Sequence, residues 1–412
     1  MRLLVVTQYF WPEDFRVNEL VAELGRRGHE VVVLTGRPNY PEGRVFPEYA
    51  MQPGRFASYH AARVVRVPMV ARGRGTPRLL VNYASFAFSA TLFGICRFRR
   101  DRFDAILVNQ LSPITVGIPA IALRRLKGWP IAFWVLDQWP ESLSAVGMVT
   151  SPSLLRLVGR LVSFIYARCD LILSPAKSMI GQIAKYHVAV SRIRYLPNWV
   201  ESTYTASDSA TAAPEVAVRP GSFNVMFAGN IGASQDFPAI LDAAAILAEH
   251  RSIRWLIVGD GRMAEWVRAE VQRRGLQDAV VMLGRHSVER MPSFYTHADA
   301  LLVALKPEPV FAQTLPGKVQ SYLAAGVPIL AMLDGEGAAV IAESGAGLAC
   351  RAGDARGLAD AVLRLAAMSA EERRVMGDRG RAFSLVEFDR DRLIGRLESW
   401  LCELAADPAR VG

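Results

Sequence analysis

Three groups of residues in this chain have the types and spacing to do chemistry. The first is Thr314-Leu315-Pro316-Gly317-Lys318, continuing through Ser321 and Tyr322 to Gly326-Val327-Pro328. The spacing predicts a short helix over 316–325, with Pro316 at the first helical position, Gly326 as the stop and Pro328 just beyond. Val319, Tyr322 and Leu323 fall on an inward face, while Lys318 and Ser321 lie one turn apart on another. Unpaired N–H groups at the start of such a helix favour an anion, and Lys318 adds a full positive charge, so the stretch reads as a phosphate seat. The second group is a series of glycine turns, Gly229-Asn230-Ile231-Gly232-Ala233-Ser234, Gly259-Asp260-Gly261 and Gly284-Arg285, each closing an apolar run. Amides near Asn230 to Ser234 and near Leu315 to Gly317 could grip one diphosphate from two sides. The third group lies in the first half: Tyr9, Glu13, Arg16, Asn18 and Glu19, then Arg37-Pro38-Asn39-Tyr40-Pro41, then Asp137-Gln138-Trp139-Pro140-Glu141-Ser142. Asp137 and Glu141 are the only acids between Asp104 and Asp170. Carboxylates beside aromatic rings can hydrogen-bond sugar hydroxyls or take a proton from one. The plainer readings are a solvated Lys318 on an ordinary crossover helix, Asp137 as a helix cap and Trp139 as core.

Positioning these residues requires an alternating α/β chain. Leu3 to Val6 reads as a strand, Asp14 to Arg27 as an amphipathic helix and Glu30 to Leu34 as a second strand, which makes a β-α-β unit. Apolar runs at Ala105 to Val108, Ile131 to Val135 and Asp170 to Leu173 continue the alternation. Open parallel sheets bind ligands beyond the C-terminal ends of their strands, where the loops above fall. Residues 201–221 lack any apolar period and read as a linker between a domain over 1–200 and one over 222–385. In the second, Phe223 to Ala228, Trp255 to Val258, Val280 to Leu283 and Ala300 to Leu305 are strands and Phe237 to Glu249 a helix. Residues 386–412 form a helical tail, placed to pack back on the first domain. Asp389-Arg390-Asp391 lies in this charged tail and reads as surface, not as a metal-bound nucleotide site.

At 412 residues and 51% hydrophobic content the chain can bury two cores, which excludes global disorder. Cys96, Cys169, Cys350 and Cys402 are too scattered for a metal knuckle and too few for a disulfide scaffold, and the six histidines form no ligand pair, so no metal site is expected. The net charge of +9 is unevenly spread. Residues 1–200 carry 26 Lys+Arg against 12 Asp+Glu, a net of +14, and residues 201–412 a net of −5. Residues 51–100 hold nine arginines and no acid, which favours an anionic surface. No nucleic-acid-reading pattern is present, so an anionic membrane is the expected partner and nucleic acid is not. The opening residues are too short an apolar run for a signal peptide. Leu79 to Cys96 is an uncharged run of 18 residues. As a helix it would be about 27 Å long against roughly 30 Å of hydrocarbon, and it reads as a crossover helix dipping an apolar face into one leaflet.

With these residues in view, the chain resembles the retaining glycosyltransferases of family 4, in the branch that builds O-antigen and colanic acid. The resemblance rests on Tyr9-Phe10-Trp11-Pro12-Glu13, Gly28-His29-Glu30-Val31, Arg37 to Pro41, Asp137 to Glu141, Pro197-Asn198-Trp199, Gly229 to Gly232, Val258 to Gly261 and Pro316 to Pro328, in that order. It implies the GT-B fold, an α/β architecture of two Rossmann-like doubly wound domains facing across a cleft. The first would serve the acceptor and the second the donor. It also implies an α-linked transfer from a nucleotide-diphosphate sugar, UDP-linked by expectation, to a lipid-linked acceptor such as a polyprenyl-diphosphate glycan, or to a polysaccharide. The enzyme would work at the cytoplasmic face of the plasma membrane with no tightly bound cofactor. Donor contacts would fall to Asn230, Ile231, Gly232, Gly261, Arg262, Arg285 near the base, Gln313, Thr314 and Leu315 near the sugar, Gly317, Lys318, and Ser321 near the ribose. Tyr9, Glu13, Arg16, Asn18, Glu19, Asn39, Tyr40 and Glu141 would face the acceptor, with Asp137 orienting it. The chain departs from the family pattern in two places. Asn230 and Gln235 stand where an Arg and a Lys are usual, and Gln313 and Ser321 stand where a Glu pair is usual. The departures leave phosphate neutralisation to Lys318, with Arg285 or Arg262 as candidates to assist it. They also keep two other readings in play, a sugar-nucleotide 2-epimerase of the same fold and a catalytically silent nucleotide-sugar-binding subunit.

Overall fold

A computed structural model describes residues 1–73, 75–145, 147–201 and 211–406. Residues 202–210 of the expected linker lie outside the described residues. The chain forms two compact units, Met1–Leu196 together with the segment from Asp391 onward, and Pro197–Arg390.

The first unit is built on β1 (Arg2–Val6), β2 (Glu30–Gly36), β3 (Ser58–Tyr59), β4 (Ala62–Val67), β5 (Ala105–Gln110), β6 (Ile131–Val135), β7 (Leu171–Ser174) and β8 (Ile193–Tyr195). Their spatial order is β3-β4-β2-β1-β5-β6-β7-β8, and all pair in parallel except β3 with β4. The central strands are continuous apolar runs because helices cover both faces: Leu3 to Val6, Ala105 to Val108 and Ala132 to Val135 are fully buried. The final helix, Arg390–Ala406, completes this unit by burying Leu393, Ile394, Leu397, Leu401 and Leu404. Glu398 on that helix receives Arg27 at 3.1 Å and His29 at 2.8 Å.

The second unit holds six parallel strands, β9 (Phe223–Ala228), β10 (Ile253–Val258), β11 (Val280–Gly284), β12 (Ala300–Ala304), β13 (Ile329–Met332) and β14 (Gly347–Cys350), in the order β11-β10-β9-β12-β13-β14. Residues 211–221, read as linker, instead fold onto this unit. Ala213 and Val216 are buried, the Ala213 amide donates to Ser293 O at 3.0 Å, and Arg290 pairs with Glu215 at 2.5 Å. Two small apolar side chains were enough to dock a stretch too short to show a period.

Among the strands paired in parallel, each sheet has one place where strand order reverses direction, β1/β5 in the first and β9/β12 in the second. The connections on either side of such a point leave in opposite directions and open a crevice beyond the C-terminal strand ends.

Candidate active site

In the second unit, the loops after β9 and β12 flank the switch point, and these carry the predicted phosphate seat. The helix after β12 runs Gly317–Ala325 and stops at Gly326 in the left-handed conformation, φ 68°. Pro316 is its cap and not its first residue, because its backbone is extended (ψ 132°). Val319, Tyr322 and Leu323 are buried as expected. Tyr322 does more than pack: its hydroxyl accepts from Ala228 N at 3.0 Å and donates to Ala228 O at 3.1 Å, fixing the helix to the end of β9. This fixes where Lys318 emerges.

The Lys318 side chain lies over Gly229, where an added Cβ would stand 2.8 Å from Lys318 Cε. Its ammonium donates to Gln235 Oε1 at 3.1 Å and sits 3.5 Å from the centre of the Phe227 ring. Among the described residues no carboxylate lies within ion-pair reach of it. Burial pushes its pKa down to about 7. An aromatic face and an amide oxygen hold the ammonium in place without neutralising it, which leaves it suited to an incoming anion.

The glycine turns are tied together around this lysine. Gly259, at φ 144°, passes so close to the first turn that a Cβ would lie 1.9 Å from Gly229 O. Gly229 N donates to Val258 O and Ile231 N to Asp260 O, both at 2.8 Å, while Lys306 N donates to Ser234 O at 3.0 Å. A Cβ on Gly261 would stand 2.6 Å from Asn230 Oδ1, so Asn230, Ile231, Gly232 and Gly261 form one patch. Asp236 ends the first turn at φ 46°, a conformation that non-glycine residues rarely hold.

The remaining donor-side residues divide. Leu315 is buried, and the Thr314 hydroxyl donates at 3.0 Å to Phe311 O in the short helix that precedes it, Pro309–Ala312. Gln313 is half-buried beside it. The Ser321 hydroxyl bonds back to Gly317 O at 3.3 Å, leaving its oxygen to accept. Arg262 and Arg285 are exposed. Arg285 follows β11, the edge strand, three strand positions from β12. The carbonyl of Gly284, just before it, accepts from Gly259 N at 2.7 Å, so the Arg285 loop adjoins the glycine turns.

In the first unit, three expected acceptor contacts are corrected. Glu13 is buried, and its carboxylate accepts from Phe10 N at 3.0 Å and from Asn39 N and Tyr40 N at 2.8 Å each. Burial raises its pKa while the three amides pull against that rise. Asn18 is spent on Glu13 O and Trp11 N, and Asn39 on Arg37 O and Arg72 N. These three side chains knit the loops after β1 and β2, because loop amides without a ladder partner need acceptors. Tyr9 is buried between Phe15 and Tyr40, and Arg16, Glu19 and Tyr40 are half-buried. Asp137 follows β6, takes the Trp139 indole N–H at 2.9 Å, and has its pKa raised by burial. Glu141 accepts from the Tyr186 hydroxyl at 2.7 Å.

Phe227, Gln235 and Tyr322 were not singled out for these roles in the sequence. A tyrosine on the buried stripe of the Lys318 helix was the one available signal, since a buried hydroxyl needs a partner.

Two family models match the chain, a glycosyl transferase 4-like domain over residues 15–199 and glycosyl transferases group 1 over residues 222–368. The chain belongs to glycosyltransferase family 4. This transferase is 26% identical over 340 residues to WcaI of Escherichia coli K12, which is ascribed to colanic acid biosynthesis, covering 79% of this chain and 82% of the relative. Anabaena Alr3699/HepE in complex with UDP aligns with a TM-score of 0.69 at 14% identity, over 98% of this chain and 100% of that one. WaaG, a glycosyltransferase of lipopolysaccharide biosynthesis, aligns with a TM-score of 0.66 at 14% identity, over 97% and 99%. The two parallel-sheet units of this hexosyltransferase are thus the GT-B fold.

Proposed function

We propose that this glycosyltransferase moves a sugar, with retention of configuration, from a UDP-sugar to a lipid-linked acceptor in bacterial surface polysaccharide synthesis, working at the cytoplasmic face of the plasma membrane. The observation that carries the reading is the Lys318 ammonium, set over Gly229 at the β9/β12 switch point with no carboxylate in ion-pair reach among the described residues. A departing diphosphate develops charge as the sugar leaves, and a fixed cation with aimed N–H donors stabilises that charge, about 3 kcal/mol for a well-placed donor. The UDP held by HepE and the colanic acid assignment of WcaI support the donor and pathway class.

In a retaining transfer the leaving phosphate takes the acceptor's proton on the face it departs from, so no protein base is required. Asp137 then orients the acceptor hydroxyl. The test is to incubate membranes from a producing strain with a panel of labelled UDP- and GDP-sugars, with wild-type protein and Lys318→Ala. Label should enter the lipid fraction from one UDP-sugar, and kcat/KM should fall at least a hundredfold in the variant. Wild-type kcat/KM in the variant would remove Lys318 from this role. Conversion of donor without acceptor would replace transfer by epimerisation.

A further inference from the structure

We propose that the face formed by helices Thr76–Arg97 and Pro152–Tyr166 lies flat on an anionic bilayer, and that the first of them couples this surface to the acceptor-side loops. The helix Gly117–Lys127 packs against both, so all three share one side of the first unit. Thr76–Arg97 turns Asn82, Phe86 and Ala90 inward with no exposure. Its outward stripe should be polar in a water-facing helix. It is instead Leu80, Val81, Phe88, Leu92 and Phe93, with Phe88 73% exposed. Leu154, Leu157 and Phe164 are exposed on the second helix and Leu126 on the third.

Arginines frame this apolar surface. Exposed Arg78 stands at one end of the long helix, and Arg97, Arg99 and Arg100 at the other, while Arg156, Arg160 and Arg168 follow the second. There is no acid between residues 51 and 100, nor between 142 and 169. Apolar side chains flanked by arginines suit the boundary between acyl chains and anionic headgroups. A second copy of this chain would set the same arginines against one another, which like-charge repulsion opposes. The run Pro77–Arg97 is long and apolar enough to cross a membrane, but 44% of it is buried within the protein, so spanning would strip the helix from its sheet.

The same helix reaches the loops beyond β1, β5 and β6. Asn82 accepts from Gln8 Nε2 at 2.7 Å, the Tyr83 hydroxyl meets Ser112 Oγ at 3.4 Å, and the Tyr83 ring lies 5.9 Å from Trp139. One element therefore holds both the apolar face and the acceptor-side loops. This coupling, unlike the docking itself, rests on the lipid-linked acceptor proposed above.

The experiment is flotation with vesicles of phosphatidylcholine alone and of equal parts phosphatidylcholine and phosphatidylglycerol. Wild type, Phe88→Ser/Leu92→Ser and Leu157→Ser are compared, with thermal unfolding as the check on folding. Wild type should float with the anionic vesicles, less so as salt rises, and the double variant should lose partitioning at least tenfold at unchanged Tm. Transfer to a lipid-linked acceptor should fall in parallel, while UDP-sugar binding stays at the wild-type level. Lost flotation in the variants, with no transfer to lipid by wild type, would keep the docking face and overturn the acceptor reading alone. Equal flotation of variants and wild type overturns the docking face. So does a wild-type dimer that the substitutions disperse without any vesicle binding.

Discussion

Lys318 holds its charge at a cost to the free protein. Its pKa in the folded state, about 7, lies below the ordinary 10.5, so between these values the unfolded chain binds more protons than the native one. Stability contributed by this group therefore rises as pH climbs from about 7 toward 10.5, and is lowest where the buried ammonium is fully charged. Lys318→Met should unfold at higher urea than wild type at pH 6, and the gap should shrink by pH 9. A gap independent of pH would show that the lysine is well solvated. Binding tests the same residue from the other side. A nucleotide-sugar diphosphate has no proton to lose near neutrality, so its affinity should fall up to about tenfold per pH unit above about 7, as the free lysine deprotonates. Lys318→Met should abolish that slope in calorimetric titrations. Lys318 could be picked out in the sequence because a lysine behind Pro-Gly, ahead of an apolar stripe, has few structural reasons to be there. Glu13, Asn18 and Asn39 look just as functional in the sequence, yet their partners are main-chain amides. Nothing in residue type separates a ligand from a loop strut, and only the fold showed the difference.

Among the elements, the helix Gly317–Ala325 acts only as well as it is seated. Tyr322 carries the seat through two hydrogen bonds to one residue of β9. Tyr322→Phe keeps the ring against Tyr295 but leaves the buried Ala228 groups without this partner, at about 1–3 kcal/mol. The expected result is that loss in urea unfolding, together with weaker UDP-sugar binding even though no atom facing the ligand has changed. Unaltered affinity in a destabilised variant would mean that Lys318 is placed by Phe227 and Gln235 alone. Elements were legible where they are long apolar runs: β1, β5, β6, β9, β10 and β12 stand near their expected positions. β4 was missed because Arg63 and Arg66 interrupt Ala62–Val67, and their heads meet partners distant in sequence, Asp101 and the Phe98 ring for Arg63, Gly36 O and Trp11 O for Arg66. β8, β13 and β14 are three or four residues long, too short for a period to register.

For the whole molecule, the division into two units with separate cores predicts two responses to two perturbations. All the donor-side residues named here lie within Pro197–Arg390, whereas the last helix is packed into the first unit. Leu401 is fully buried there, and Leu401→Ala should cost the first unit about 2–5 kcal/mol by leaving a cavity. A UDP-sugar should stabilise the second unit by mass action, since it binds the native form alone. Calorimetry should therefore show one transition lowered by Leu401→Ala and a different one raised by ligand, with the shifts adding in the combined experiment. If instead a single transition moves under both perturbations, the units melt cooperatively. The last helix would then be stabilising the donor-side unit as well. A helical tail over 386–412 packing back on the first domain was expected from the sequence, but its anchor was not legible, because Arg27 and His29 lie 371 and 369 residues from Glu398.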